Sequence, residues 1–198
     1  MTSVRLPIFE DFIRDLRAIW SSEPDTEQRM RKAQDAFARV VCNPTLRRHS
    51  ASWPSTDVPR SNLLLYEDPD YGFVINAVVR TAGRTGSVHD HAHAWVLYGV
   101  IDGTESLERY ERLDDGTKPG YAEIKQLGVT SGGPGKVDLV APYGIHAEQG
   151  GPTRSVALIL RSERLVGRLL QNSYMPALNA VIQGSGPAQV PFELLATT

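Results

Sequence analysis

The sequence predicts a mainly β fold, an antiparallel sandwich or small barrel such as a jelly roll, preceded by two α-helices. Three observations carry this prediction. Apolar residues recur at helical spacing only up to about residue 42. From residue 61 to about 160 they give way to short β-branched and aromatic runs separated by Gly, Pro, Asp and Asn. In one of those runs His89, His91 and His93 occupy alternate positions, the period of a strand.

The first helix is expected over about 7–20, where Ile8, Phe9, Phe12, Ile13, Leu16, Ile19 and Trp20 form one stripe and Pro7 suits the first turn. A second is expected over about 25–42, entered at Pro24-Asp25, with Met30, Ala33, Phe37, Val40 and Val41 as its apolar side. Asn43-Pro44 reads as its stop, and residues 43–60, with Pro54 and Pro59, as a connection in which His49 is a solvated residue. Strands are then expected over Asn62–Tyr66, Tyr71–Thr81, His89–Ile101, Ser106–Leu113, Ala122–Val129, Lys136–Val140, Ile145–Glu148 and Ser155–Leu160. Asp102-Gly103 marks a hairpin, Asp114-Asp115-Gly116 a turn and Gly132-Gly133-Pro134-Gly135 a wide β-turn rather than a phosphate loop. Ser162–Leu170 has a weak helical pattern, and 166–198 reads as an irregular tail, rich in Pro and Gly, that wraps the barrel or meets another subunit.

The 198 residues are 41% hydrophobic and 22% charged, an ordinary globular composition for which a single domain is expected. A net charge of -2 and the lack of a basic stripe argue against nucleic acid or an anionic membrane as partner. No apolar run has the length of a bilayer span, and Met1–Pro7 lacks a signal-peptide core, so a cytoplasmic location is expected. The lone Cys42 excludes an intrachain disulfide and is expected to be a small buried apolar residue. Monomer and homodimer are both compatible with a barrel that has edge strands.

The histidine cluster carries the chemistry. Two imidazoles on one strand face can chelate a metal, and neutral imidazole suits iron, zinc, copper and nickel. His89 and His91 are the first two expected ligands; the third is His146, in Pro142-Tyr143-Gly144-Ile145-His146, where a turn presents a side chain. His93 shares the face of His89 and His91 by period, so it either lines the pocket as an acid/base group, replaces a ligand, or is turned outward by a bulge. Asp90 is expected to face away from the metal. Trp95 and Tyr98 lie on opposite faces of the same run, so at most one lines the pocket; Tyr98 reads either as a hydrogen-bonding wall residue or as a core aromatic.

These residues resemble a known superfamily. Gly83-x5-His89-x-His91 with Gly103 resembles the first cupin motif, and Pro142-x-Gly144-x-His146 the second. Where many cupins carry a glutamate in the first motif, this chain has Trp95 and Val96. Three histidines without that carboxylate, the string His89-Asp90-His91 and two leading helices are similar to the thiol dioxygenases, cysteine dioxygenase and 3-mercaptopropionate dioxygenase. The resemblance implies a cupin double-stranded β-helix over about 60–165, an iron(II) centre, and O2 and a small-molecule substrate as partners. Zinc, nickel and manganese suit the same ligands. It further implies that Arg60, in Pro59-Arg60-Ser61-Asn62, receives a substrate carboxylate, for which a guanidinium fork is apt. Ala157, Ile159 and Arg161 stand where the family has a Ser-x-His-x-Tyr set, and Val96 stands where animal enzymes carry the cysteine crosslinked to that tyrosine. Arg161 then reads either as a second anion clamp or as a surface partner of Glu163. The function expected is a non-haem iron(II) dioxygenase of a small carboxylate-bearing molecule, such as a thiol. The alternatives are a metal cupin acting as a β-diketone-type dioxygenase, isomerase or hydrolase, or a cupin that binds a small ligand without catalysis.

Overall fold

The computed structural model describes residues 5–165, 167–168 and 170–196. Helix α1 (Pro7–Ser22) starts with proline in its first turn and buries Phe9, Phe12, Ile13, Leu16 and Trp20 on one stripe. Helix α2 (Thr26–Val41) is capped by Asp25, whose carboxylate accepts from the Gln28 amide at 2.8 Å. It buries Met30, Ala33, Ala36, Phe37, Val40 and Val41. A third helix, α3 (Pro44–Ser50), occupies part of the expected connection. Asn43-Pro44 ends α2 but also begins α3: the Asn43 side chain accepts from the amides of Thr45 and Leu46, and Pro44 sits where no amide donor is needed. His49, at its end, is not merely solvated: its Nε2 bonds the Leu195 carbonyl at 2.9 Å, and its Nδ1 accepts from Trp53 Nε1 at 2.9 Å. Cys42 is exposed rather than buried, because it caps α2 beyond the last buried turn.

The strands are β1 (Ser61–Glu67), β2 (Val74–Arg80), β3 (Val88–His89), β4 (Val96–Asp102), β5 (Glu105–Arg112), β6 (Ile124–Gly132), β7 (Val137–Val140), β8 (Ile145–Gly150), β9 (Ser155–Arg161), β10 (Gln171–Met175), β11 (Ala180–Gly184) and β12 (Ala188–Pro191). They form two sheets, ordered β12-β1-β2-β9-β4-β7 and β11-β10-β3-β8-β5-β6. From β2 to β9 the chain crosses between the sheets at every step except β5 to β6, which gives β2-β9-β4-β7 against β3-β8-β5-β6. That order defines the jelly roll, a double-stranded β-helix.

Two expectations need correction. The run His89–Ile101 is not one strand: β3 belongs to the second sheet and β4 to the first, and the chain turns between them at Ala92, whose φ is 49°. The Asp90 carboxylate accepts from the Ala92 amide at 3.0 Å and stabilises that turn. The region after 165 is not irregular. Here β10 extends the second sheet alongside β3, β11 pairs with β10, and β12 pairs parallel with β1. No helix forms among the described residues of 162–170, and residues 166, 169, 197 and 198 of the expected tail lie outside the described residues.

The helices cover the outer face of the first sheet, where Leu63, Leu65, Ile75, Ala77, Val79, Leu97, Val156, Leu158 and Leu160 share one buried cluster with the helical stripes. The inner face buries Val78, Val96, Tyr98, Val100, Ala157 and Ile159. Strands β2 and β9 are therefore buried on both faces, and their sequences read as continuous apolar runs instead of alternating. Each fully buried Leu or Phe contributes roughly 1.5–3 kcal/mol. No helix among the described residues is long and apolar enough to cross a membrane.

Helix α2 rests on β4 because Gly99 has no side chain. A Cβ there would lie 2.7 Å from Phe37 Cε1 and 2.9 Å from Val41 Cγ1. Gly99→Val is expected to lower unfolding free energy by about 1–3 kcal/mol through overpacking, read from the midpoint of urea denaturation.

Candidate metal centre and cavity

The three rings converge by two different routes. His89 on β3 lies directly opposite His146 on β8 in antiparallel register. His91 reaches the same point from the turn after β3. Ring centroids are 4.5 Å apart for His89–His146, 4.8 Å for His89–His91 and 4.9 Å for His91–His146. One nitrogen from each ring lies within 4.8 Å of the others.

Hydrogen bonds decide which nitrogen that is. His89 Nδ1–H donates to the Ser87 carbonyl at 2.9 Å, His146 Nδ1–H to the Gly144 carbonyl at 2.8 Å, and His91 Nδ1–H to the Gln171 side-chain carbonyl at 3.0 Å. With an oxygen acceptor on each Nδ1, the neutral ring keeps its proton there and leaves the Nε2 lone pair free. His146 Nε2 is buried and has no hydrogen-bond partner. A buried nitrogen left this way is costly, and a cation held between it and the Nε2 atoms of His89 and His91 removes the cost. The donor set therefore fits a divalent metal held by His89, His91 and His146.

A carboxylate lies beside one of them. Glu148 is two residues beyond His146, hence on the same face of β8, and its Oε1 lies 3.3 Å from His146 Nε2 without hydrogen-bond alignment. Burial pushes the His89 imidazole down to about 4, with His146 adding to the effect. Burial also holds His91 well below the usual histidine range, reinforced by His89, His146 and Arg161. Burial would likewise lower His146, but Glu148 outweighs it and raises that imidazole. Glu148 itself would be raised by burial, yet His146, His89 and Arg80 hold it well below the carboxylate range. His146 and Glu148 thus favour each other's charged forms, while burial disfavours charge on His89 and His91.

His89 and His91 open onto a cavity of about 310 Å³, also lined by Arg60, Arg80, Tyr98, Glu148, Ile159 and Arg161. Of the expected site residues, Arg60, His89, His91, Tyr98 and Arg161 all line it. His146 is buried behind them, packed against His89 and His91. Arg60 sits exposed, its Nη2 donating to Ser87 Oγ at 3.0 Å. Tyr98 is the inward member of the Trp95/Tyr98 pair. Its hydroxyl donates to Glu105 at 2.5 Å and accepts from Arg80 Nη1 at 2.6 Å, and burial raises its pKa well above the usual phenol value. Arg161 is not a surface partner of Glu163; it is buried, and its Nη1 donates to Asn76 Oδ1.

His93 does not join the site. The left-handed turn at Ala92 breaks the strand period, so His93 lies at the surface with its Nε2 2.9 Å from Glu163 Oε1. Asp90 faces away from the rings, as expected, and accepts from Asn172 and from the Tyr174 hydroxyl at 2.9 Å. Those bonds seat β10, which delivers Gln171 to His91. Glu148 was legible from strand period. Gln171 was not, because it is 80 residues from its partner and no local pattern marks it.

No family model matches the sequence, and no curated protein matches it. Among solved structures, the chain is similar to the cupin domain of Schizosaccharomyces pombe Cnp3, at TM-score 0.38 and 11% identity, covering 50% of this chain and 58% of that one. It is similar to an oxalate oxidase in complex with the substrate analogue glycolate, at TM-score 0.40 and 19% identity, covering 55% and 57% of the two chains. A conserved protein with a double-stranded β-helix domain from Klebsiella pneumoniae has TM-score 0.38 and 16% identity, with 67% and 89% covered. The chain thus spans little more than half the length of the first two. Its jelly-roll fold stands on the strand order.

Two outcomes follow from the ring environment. Gln171→Leu removes the oxygen that orients His91 and is expected to weaken metal affinity about 10–100-fold, measured by competition with a chelator of known affinity. In metal-free protein, His89 binds its proton at about 4 when folded against 6.5 when unfolded. The unfolded chain therefore takes up more protons between those values, so stability is present above about 6.5 and falls as pH drops toward 4. His89→Gln is expected to flatten that fall in urea titrations run at successive pH values.

Proposed function

We propose that this chain is a cupin that holds one divalent metal, iron(II) by preference, and uses O2 to oxidise a small carboxylate-bearing molecule. The observation that carries the reading is the ring arrangement: three imidazoles, each with Nδ1 tied to an oxygen, turn their remaining nitrogens toward one point beside a cavity that holds guanidinium groups. Three neutral nitrogens leave other coordination positions for substrate. Iron(II) held there would supply the redox chemistry with O2; zinc, nickel or manganese suit the ligands as well.

The chain's own residues have separable parts in this reading. His89, His91 and His146 hold the ion, and Glu148, at ligand-to-ligand distance from His146, is placed to join them. Arg60 at the exposed end of the cavity receives a carboxylate. Tyr98 is a wall group whose hydroxyl proton is engaged by Glu105. His93, paired with Glu163 at the surface, takes no part. A thiol substrate is favoured by the sequence resemblance alone. The inward positions of β9 carry Ala157, Ile159 and Arg161 in place of that family's Ser-His-Tyr set, which widens the range of substrates to be tested.

A second reading has its own observation. The buried, ionised Glu148 beside the rings is a suitable base for redox-neutral chemistry on a zinc or manganese centre, as in an isomerase or hydrolase.

Metal analysis of protein purified without a histidine tag is expected to find about one equivalent per chain, the occupancy of a single three-histidine site. His146→Ala should lose it and His93→Ala should keep it. Iron-loaded protein is then assayed by O2 electrode with cysteine, 3-mercaptopropionate, cysteamine and a β-diketone. Iron-dependent uptake with one of them supports the oxidase reading. No uptake with any thiol removes the thiol reading, and a folded protein that binds no metal overturns the proposal as a whole.

A further inference from the structure

Four guanidinium groups line the cavity, those of Arg60, Arg80, Arg84 and Arg161. Two have carboxylate partners. Arg80 lies 3.2 Å from Glu105 and 3.6 Å from Glu148, and Arg84 lies 3.4 Å from Asp57. The other two have none among the described residues: Arg60 bonds the neutral Ser87 hydroxyl and Arg161 the neutral Asn76 amide.

The two unpaired cations occupy different depths. Arg60 is exposed, whereas Arg161 is 5% exposed and its Nε has no hydrogen-bond partner. Strand period puts Arg161 on the same face of β9 as Ser155, Ala157 and Ile159, of which Ala157 and Ile159 belong to the barrel's inner cluster. Burial brings its pKa down to about 10, against the pull of Glu148, so it is still a cation at neutral pH. A buried guanidinium held by one neutral amide, with no carboxylate at ion-pair distance among the described residues, has given up water for little in return, an expensive arrangement that an incoming anion relieves. A ligand with one negative group can neutralise either Arg60 or Arg161, and it leaves the other unpaired.

We propose that the ligand of this cavity carries two anionic groups, as a short dicarboxylate does, with Arg60 receiving one at the exposed end and Arg161 the other at the buried end. This rests on the reading of the cavity as the site of a carboxylate-bearing molecule, and it names the class of that molecule. Arg161 is thereby a specificity-determining residue.

Calorimetric titration of the purified protein, its metal content measured on the same sample, compares malonate, succinate and glutarate with acetate, propionate and butyrate. At least one dicarboxylate is expected to bind about tenfold or more tightly than the monocarboxylates, the worth of one extra charge-assisted bond. Arg161→Gln should remove that advantage while changing monocarboxylate affinity by no more than about threefold, since Arg60 remains. Equal affinity for the two series, or an advantage that survives Arg161→Gln, overturns the proposal. If Arg161→Gln does not fold, Arg60→Gln at the exposed end must remove the same advantage, and its failure to do so is equally decisive. His146→Ala separates the two readings. Loss of metal with the dicarboxylate preference kept supports the paired arginines whatever the metal does. Metal bound normally without any preference sinks the dianion and leaves the metal centre standing.

Discussion

The pairing of β3 with β8 is the constraint on which the site depends. It sets His89 opposite His146 in the ladder, so two imidazoles 57 residues apart meet with no freedom in their backbones. His91 completes the set only because the chain leaves β3 in a left-handed turn at Ala92, tied by Asp90. Each ring is then aimed by an oxygen on its far side. Two of these oxygens belong to the backbone two residues upstream, at Ser87 and Gly144, so the same local geometry recurs on both strands. The third comes from Gln171 on β10. The three-histidine cluster is built twice over, by register and by hydrogen bonding, and the second layer fixes the tautomers.

The barrel interior is divided. Val78, Val96, Val100, Ala157 and Ile159 fill part of it with apolar packing. Around the cavity it becomes a chain of charges: Ser155 donates to Glu105 at 2.7 Å, Glu105 meets Arg80 and Tyr98, Arg80 meets Glu148, and Glu148 meets His146. Isolated buried charges are costly, and here each has a neighbour of opposite sign. Arg161 is the member of the interior that departs from this rule. The helices do not touch this chemistry. They cover the outer face of the first sheet, whose strands β2, β4 and β9 carry Asn76, Arg80, Tyr98 and Arg161.

How much of this the sequence shows depends on the range of each interaction. The α1 and α2 stripes, the strand periods and the alternation of His146 with Glu148 are local, and they appear directly in spacing. Asn43-Pro44 shows the limit of that reading, since the same dipeptide stops one helix and starts another. The run around His91 shows a second limit. Alternation alone extends the strand through His93, but a change of sheet interrupts it, and His93 goes to the surface instead of the cavity. The segment after 165 shows no strand period because its strands are short and are stabilised by partners far away in the chain: β10 by β3, and β12 by β1.

By itself, then, the amino-acid order determined a β-rich chain behind two amphipathic helices, and a metal-type histidine set at 89, 91 and 146. Those features follow from residue type and period, which act over a few positions. Only the tertiary structure decided which ring nitrogens face one another, that Gln171 and Glu148 lie beside the histidines, that His93 does not, and that Arg161 is buried with no carboxylate at ion-pair distance among the described residues. These depend on which strands lie side by side, and that is settled by burial and hydrogen bonding across the whole barrel.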